Sequence, residues 1–201
     1  LALAACGNSG KTETKVSAET EATTEKATEK AAEKASEKAS EAAGEQKASN
    51  FSVSDKSLEF TAENLALESV DSSIFGEKDL TVLNVWGTFC GPCINEMPEL
   101  QKIYESLPKN ANLIGIVADV PEGMKDGVDN ANYIEKQTGV KYTNLTLSDS
   151  LSSFAKRFYA VPSTIFVDKN GNIIGELVMG ADIDAYVKNL QNVLTDWKYE
   201  S

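Results

Sequence analysis

The chain has 201 residues, a formal net charge of −12 and no histidine. The acidity leaves no basic surface to neutralise phosphates, so nucleic acid is not an expected partner. The missing histidine excludes imidazole metal sites, histidine general bases and Cys-His nucleophile pairs. Arg157 is the only arginine, and the cysteines are Cys6, Cys90 and Cys93. The length suits one ordinary domain plus an appendage, and an odd cysteine count in an exported protein leaves one thiol to be explained.

The first residues, Leu1-Ala2-Leu3-Ala4-Ala5-Cys6-Gly7, read as the tail of a secretory signal peptide with small residues at a cleavage point. Leu3-Ala4-Ala5-Cys6 resembles the bacterial lipobox, a signal in which the cysteine is acylated and becomes the mature N-terminus. Residues 1–6 are therefore read as a lipoprotein signal remnant with Cys6 as lipidation site, which accounts for the third thiol. The alternative is an ordinary signal peptide. Neither reading supplies a spanning helix.

From Gly7 to Asn50 the composition narrows to Ala, Glu, Lys, Ser and Thr, with a four-residue repeat running from Glu25 to Ser40. Helix propensity is high, yet a period of four sets Glu on Glu and Lys on Lys at i,i+4, which is repulsive. A coiled coil lacks its apolar seam. Residues 7–50 read as a solvated spacer, spanning roughly 35–40 Å as a flexible coil.

The globular part, residues 51–201, begins near Phe51. Leu58–Ala62 and Leu65–Ser69 read as a small hairpin around Glu63-Asn64. Leu80–Val85 is a short β-branched apolar run, a buried strand. Ile94–Leu107 reads as a helix, with Pro98 inside it expected to kink it. Leu113–Ala118 is a second strand, Val128–Thr138 a helix ended by Gly139, and Leu145–Leu147 a short strand. Leu151–Tyr159 reads as a helix with Leu151, Phe154 and Phe158 on one face. Ser163–Val167 and Ile173–Val178 flank the Asn170-Gly171 turn, and Ile183–Trp197 is an amphipathic helix. A βαβ half followed by a ββα half implies an α/β mixed central sheet flanked by helices.

Between the first strand and helix lies Trp86-Gly87-Thr88-Phe89-Cys90-Gly91-Pro92-Cys93. A helix start offers unpaired N–H groups and the positive end of the macrodipole. A thiolate at Cys90 is stabilised there, Cys93 lies about one turn further on, and Pro92 fits the first turn. A purely structural disulfide closes too small a loop to constrain the chain much. A zinc half-site lacks two further ligands of the cysteine or histidine type, so no metal is expected.

These residues carry a resemblance. The domain is similar to the thioredoxin fold, specifically the membrane-anchored thioredoxins of the TlpA/ResA kind, over Phe51 to Ser201 and with an N-terminal β-hairpin extension. Beyond the Cys90–Cys93 motif it rests on Glu96-x-Pro98, on Val161-Pro162-Ser163 before a strand, where the family holds a cis-proline facing the cysteines, and on the Asp168-Lys169-Asn170-Gly171 hairpin. There are departures. Asn84 stands where cytoplasmic thioredoxins carry a buried aspartate, Phe89 where a second tryptophan is common, and Gly91-Pro92 is the dipeptide of thioredoxin itself.

The resemblance implies that Cys90 attacks a client disulfide and that Cys93 resolves the mixed disulfide. Glu96, at the family's glutamate position, is the candidate to take the second thiol's proton; the bland reading is a solvated helix residue. Trp86, Phe89, Gly91, Pro92, Val161 and Pro162 are the candidate substrate-binding residues, with Trp86 half packing and half client surface. Tyr133, Tyr142 and Tyr159 read as packing residues. The expected protein is an extracytoplasmic thiol-disulfide oxidoreductase, a monomer lipid-anchored at the outer face of a bacterial cell membrane. It reduces disulfide-bearing client proteins with no cofactor beyond its own cysteines and takes electrons from a membrane carrier of the CcdA/DsbD type. Clients would be apocytochrome c thiols or a methionine sulfoxide reductase. A disulfide-introducing oxidase would want more charge in the motif than Gly91-Pro92 offers. The peroxidase form wants Pro and Thr where Leu83 and Gly87 stand. A copper-delivery lipoprotein wants histidine.

Overall fold

The computed structural model describes residues 57–194. Cys6, the spacer 7–50 and the Trp197 end of the last predicted helix lie outside the described residues. Strands β1 (Thr61–Glu63) and β2 (Ser69–Asp71) form a separate pair; a 3₁₀ helix follows at Ser72–Glu77. Then come β3 (Leu80–Trp86), α1 (Gly91–Ser106), β4 (Ala111–Pro121), α2 (Lys125–Thr138), β5 (Thr143–Leu147), α3 (Asp149–Ala155), β6 (Ser163–Asp168), β7 (Ile173–Met179) and α4 (Ile183–Val193). The main sheet has the order β5-β4-β3-β6-β7. β3 runs parallel to β4 and antiparallel to β6. This is the thioredoxin arrangement.

β3 is buried along its whole length, as a central strand covered on both faces must be. Its side chains alternate between two cores. Leu80, Val82 and Trp86 join Met97, Leu100 and Ile103 of α1, Val128, Ala131 and Ile134 of α2, and Tyr186 and Leu190 of α4. Leu83 and Val85 join Ile114, Ile116, Ile165 and Val167, closed over by Leu151 and Phe154 of α3 and by Phe60 and Phe75. Asn84 falls on the first face, beneath α1.

The β3–β6 register sets the site. Val85 is opposite Ser163, so the Val161-Pro162 segment just before β6 comes beside the residues just after β3. At the far end of β6, Asp168 Oδ1 accepts from the backbone N–H groups of Asn170 and Asn172, and Gly171 takes φ 80°. The predicted Asn170-Gly171 turn is therefore present.

Several boundaries differ from the sequence reading. The N-terminal hairpin pairs Thr61 with Asp71 and Glu63 with Ser69, later than predicted at both strands. The reason is Asn64, whose Oδ1 accepts from the N–H groups of both Ala66 and Glu68 and so holds a wider turn. α3 ends at Ala155 instead of Tyr159; Phe158 still packs edge-on against Phe154, ring centroids 5.1 Å apart. α1 begins at Gly91, ahead of the predicted Ile94, and holds Pro98 inside it as expected.

Gly115 of β4 is required by packing. A Cβ there would lie 1.7 Å from Asn144 Oδ1 and 3.1 Å from Trp86 Nε1, and these two atoms are hydrogen-bonded to each other at 2.7 Å. Gly115→Ala therefore forces the pair apart and overpacks a closed core. Urea unfolding of the oxidised protein is expected to show a loss of about 3 kcal/mol. A loss below about 0.5 kcal/mol, the size of an ordinary surface substitution, would show that the site gives way freely.

Candidate active site

β3 hands over to α1 through Gly87-Thr88-Phe89, and the turn is pinned. Cys90 N donates to Gly87 O at 3.0 Å. Thr88 is clasped by Asp119 of β4, which accepts from both its backbone N–H and its hydroxyl. Cys90 is the N-cap of α1, with φ −91° and ψ 99°, and its sulfur accepts from the N–H of Cys93 at 3.2 Å. Pro92 sits in the first turn, where its missing donor removes no helix bond. The Cys90 sulfur thus lies among the unpaired donors of a helix start, the environment that favours a thiolate over a thiol.

Cys90 and Cys93 are joined as a disulfide. Cys93 is almost fully enclosed at 1% exposure, against 6% for Cys90. The Cys90 sulfur lies 3.6 Å from the carbonyl oxygen of Val161, and the Val161-Pro162 bond is cis. The predicted neighbours thus divide. Phe89 is 75% exposed, Gly91 and Pro92 are exposed, Val161 is half-buried and Pro162 buried. Trp86 is corrected outright. It has no exposed surface and donates its indole N–H to Asn144, whose own amide donates to Glu135 at 2.8 Å. As the last residue of β3 on the α1 face, with Gly115 leaving room for its ring, it is core and offers no surface to a client.

Glu96 is also placed differently from the solvated alternative. It is buried at 5% exposure. Oε1 accepts from Asn84 Nδ2 at 3.2 Å, and Oε2 from the Tyr186 hydroxyl at 3.0 Å. Desolvation pushes its carboxyl up to about 7, against the smaller opposing pull of the hydrogen bonds from Tyr186 and Asn84. Asn84 gives its other amide hydrogen to Thr164 Oγ1 of β6 at 2.9 Å. A carboxyl near neutrality, one helical turn from Cys93, suits proton exchange with a thiol. Asn84, Thr164 and Tyr186 carry this arrangement and were absent from the sequence-derived site. Asn84 alone left a trace there, as the residue standing where cytoplasmic thioredoxins carry a buried aspartate. Tyr186 is indistinguishable by pattern from a core aromatic of an amphipathic helix.

Residues 53–175 match the family described as AhpC/TSA. The chain belongs to the AhpC/TSA family. The chain is 28% identical over 122 residues to the thiol-disulfide oxidoreductase ResA of Halalkalibacterium halodurans, covering 60% of this chain and 65% of that protein. It is 28% identical over 139 residues to ResA of Oceanobacillus iheyensis, covering 65% and 67%. The chain spans about two thirds of the length of these curated relatives. A solved DsbF homologue from Corynebacterium diphtheriae shares the fold, with TM-score 0.55 and 21% identity over 74% of this chain and 98% of that one. The ResA relatives agree with the TlpA/ResA resemblance read from the motif.

The buried carboxyl has a consequence for stability. Its acidity is weaker in the folded chain than in the unfolded one, so the folded form binds the extra proton. That contribution is complete below about pH 4.5 and is lost as pH rises through about 7. Glu96→Gln removes it. Urea unfolding of the oxidised proteins is expected to show the variant gaining on the parent between these limits, by up to about 3 kcal/mol. Parallel stability–pH curves would mean that Glu96 titrates normally.

Proposed function

We propose that this protein reduces disulfides in client proteins, working as a monomer at the outer face of a bacterial cell membrane and held there by lipid on Cys6. The observation that carries the chemistry is the Cys90–Cys93 disulfide at the start of α1, with the Cys90 sulfur against the Val161 carbonyl. In the dithiol form, the Cys90 thiolate attacks one client sulfur. The client S–S bond breaks, a Cys90–client disulfide forms, and the other client sulfur leaves as a thiolate. Cys93 then loses its proton to Glu96 and attacks Cys90. The client leaves with both sulfurs reduced, and two electrons have passed from the cysteine pair to the client.

The exposed Phe89, Gly91 and Pro92, with Val161 and Pro162 across the gap, are the residues that meet the client. The only groups required are the two cysteines and nearby proton carriers, so the reaction needs no further cofactor. Outside the cytosol no glutathione pool restores the dithiol, and a membrane electron carrier of the CcdA/DsbD type would supply the electrons. The thiol-disulfide oxidoreductases among the relatives support this reading. Clients of the expected kinds are apocytochrome c thiols before haem attachment and a methionine sulfoxide reductase.

Trapping tests the order of events. Cys93→Ser is expected to accumulate mixed disulfides with clients, because the resolving thiol is gone, and Cys90→Ser to accumulate none. Glu96→Gln is expected to slow insulin disulfide reduction, driven by an artificial reductant, by roughly tenfold or more, while Cys90 alkylation stays near the parent rate. Trapping by Cys90→Ser in place of Cys93→Ser would reverse the assigned roles. Parent turnover by Glu96→Gln across neutral pH would remove Glu96 from the mechanism.

A further inference from the structure

One hydroxyl in the buried network faces two acceptors. Tyr186 OH lies 3.0 Å from Glu96 Oε2 and 2.9 Å from the carbonyl oxygen of Gly180. A phenol carries a single hydrogen, so it serves one of them at a time. Gly180 is itself tied to the client-facing segment, because its N–H donates to Pro162 O at 2.8 Å. Gly180 takes φ +85°, so the stretch between β7 and α4 is a specific backbone turn with a partner at each polar end. Tyr186 is 1% exposed, and its hydroxyl oxygen also accepts from Thr164 and the Asp182 backbone N–H.

We propose that Tyr186 is a positioning residue that turns its hydroxyl hydrogen between Glu96 and the Gly180 carbonyl, and thereby ties the protonation of Glu96 to the Val161-Pro162 segment that holds the client. With Glu96 ionised, the tyrosine hydrogen points at Oε2. With Glu96 protonated at Oε2, the new carboxyl O–H donates to the tyrosine oxygen and the tyrosine hydrogen turns to Gly180 O. Both states keep all three groups hydrogen-bonded, so the carboxyl changes charge without leaving a buried polar atom unpaired. The Gly180 carbonyl keeps its hydrogen bond from the Asp182 N–H at 2.9 Å in both states and gains a second, from Tyr186, in one state only, and the other end of that residue holds Pro162.

The groups around Glu96 leave the switch to this pair. β3 and β6 present neutral Asn84 and Thr164. Among the described residues, the titratable groups coupled to it are Tyr186 from α4 and Tyr142 before β5, while Cys90 and Cys93, joined as a disulfide, carry no titrating thiol in the oxidised chain. Both phenols are held protonated, first by burial and then by the charge of Glu96. The proposal rests on the reading that Glu96 accepts the Cys93 proton, but its link to Gly180 is measurable without turnover.

The test is an NMR titration of the oxidised full chain from about pH 5 to 9, which spans a carboxyl raised toward neutrality. It follows the Glu96 side-chain carboxyl carbon and the backbone amide of Gly180. In the parent, the Gly180 amide is expected to shift with the same midpoint as the Glu96 carboxyl. In Tyr186→Phe, that step at Gly180 is expected to vanish. The Glu96 midpoint should also rise by about half a unit or more, an acid at least threefold weaker, because a donor to the ionised form is lost. A Gly180 amide that stays flat through the Glu96 step in the parent overturns the proposal, whether or not the variant folds. So does a Tyr186→Phe protein that keeps both signals unchanged. Failure of the catalytic reading would show elsewhere, as unimpaired disulfide reduction by Glu96→Gln, with the coupled titration still present.

Discussion

Cys90 is at once the N-cap of a helix and the residue that ends the turn out of the central strand, and the site depends on that double position. A cap normally satisfies one of the orphan N–H groups with a side-chain oxygen. Here a sulfur takes the place of oxygen and accepts from Cys93 N. The backbone donors that need a partner are therefore the same ones that stabilise a thiolate. β3 fixes where this happens. It is buried throughout and paired on both edges, so the start of α1 cannot drift relative to the residues before β6. The Asp119 clasp on Thr88 holds the connecting turn from the other side.

Beneath the cysteines the fold keeps a carboxyl where an apolar residue would be more stable. Burying Glu96 disfavours its charged form, and the surroundings are arranged to limit that cost without abolishing it. Asn84 and Tyr186 donate to the two oxygens, and neither adds charge. An aspartate at position 84 would put two carboxyls on one another, and one of them would be forced to stay protonated. The asparagine there and the glutamate on α1 make sense as a pair: the site holds one carboxyl, and it comes from the helix instead of the strand.

The architecture was largely legible in the sequence because its signals are local. A short, β-branched, largely apolar run gave β3, Asn170-Gly171 gave the β6–β7 turn, and Gly139 ended α2. The cysteine pair and Pro162 were legible from motif order. What was not legible depends on distance across the fold. Trp86 looked half exposed because it adjoins the motif, and only the space left by Gly115, on the neighbouring strand, shows why it is inside. Glu96 looked even between site and surface, since helical spacing alone cannot say what covers a face. Tyr186, 90 residues further on, reads as one more core aromatic until its hydroxyl is placed.

The position of Cys90 at the start of α1, with Cys93 enclosed beneath it, predicts that Cys90 is the acidic, attacking thiol. The direct measurement is the pH dependence of iodoacetamide alkylation in the reduced protein, with the modified cysteine identified by peptide mass. Cys90 is expected to react first and with a midpoint well below the ordinary thiol value of about 8.5, within roughly 3.5–7.5. A Cys90 midpoint at or above about 8.5, or faster modification of Cys93, would contradict it.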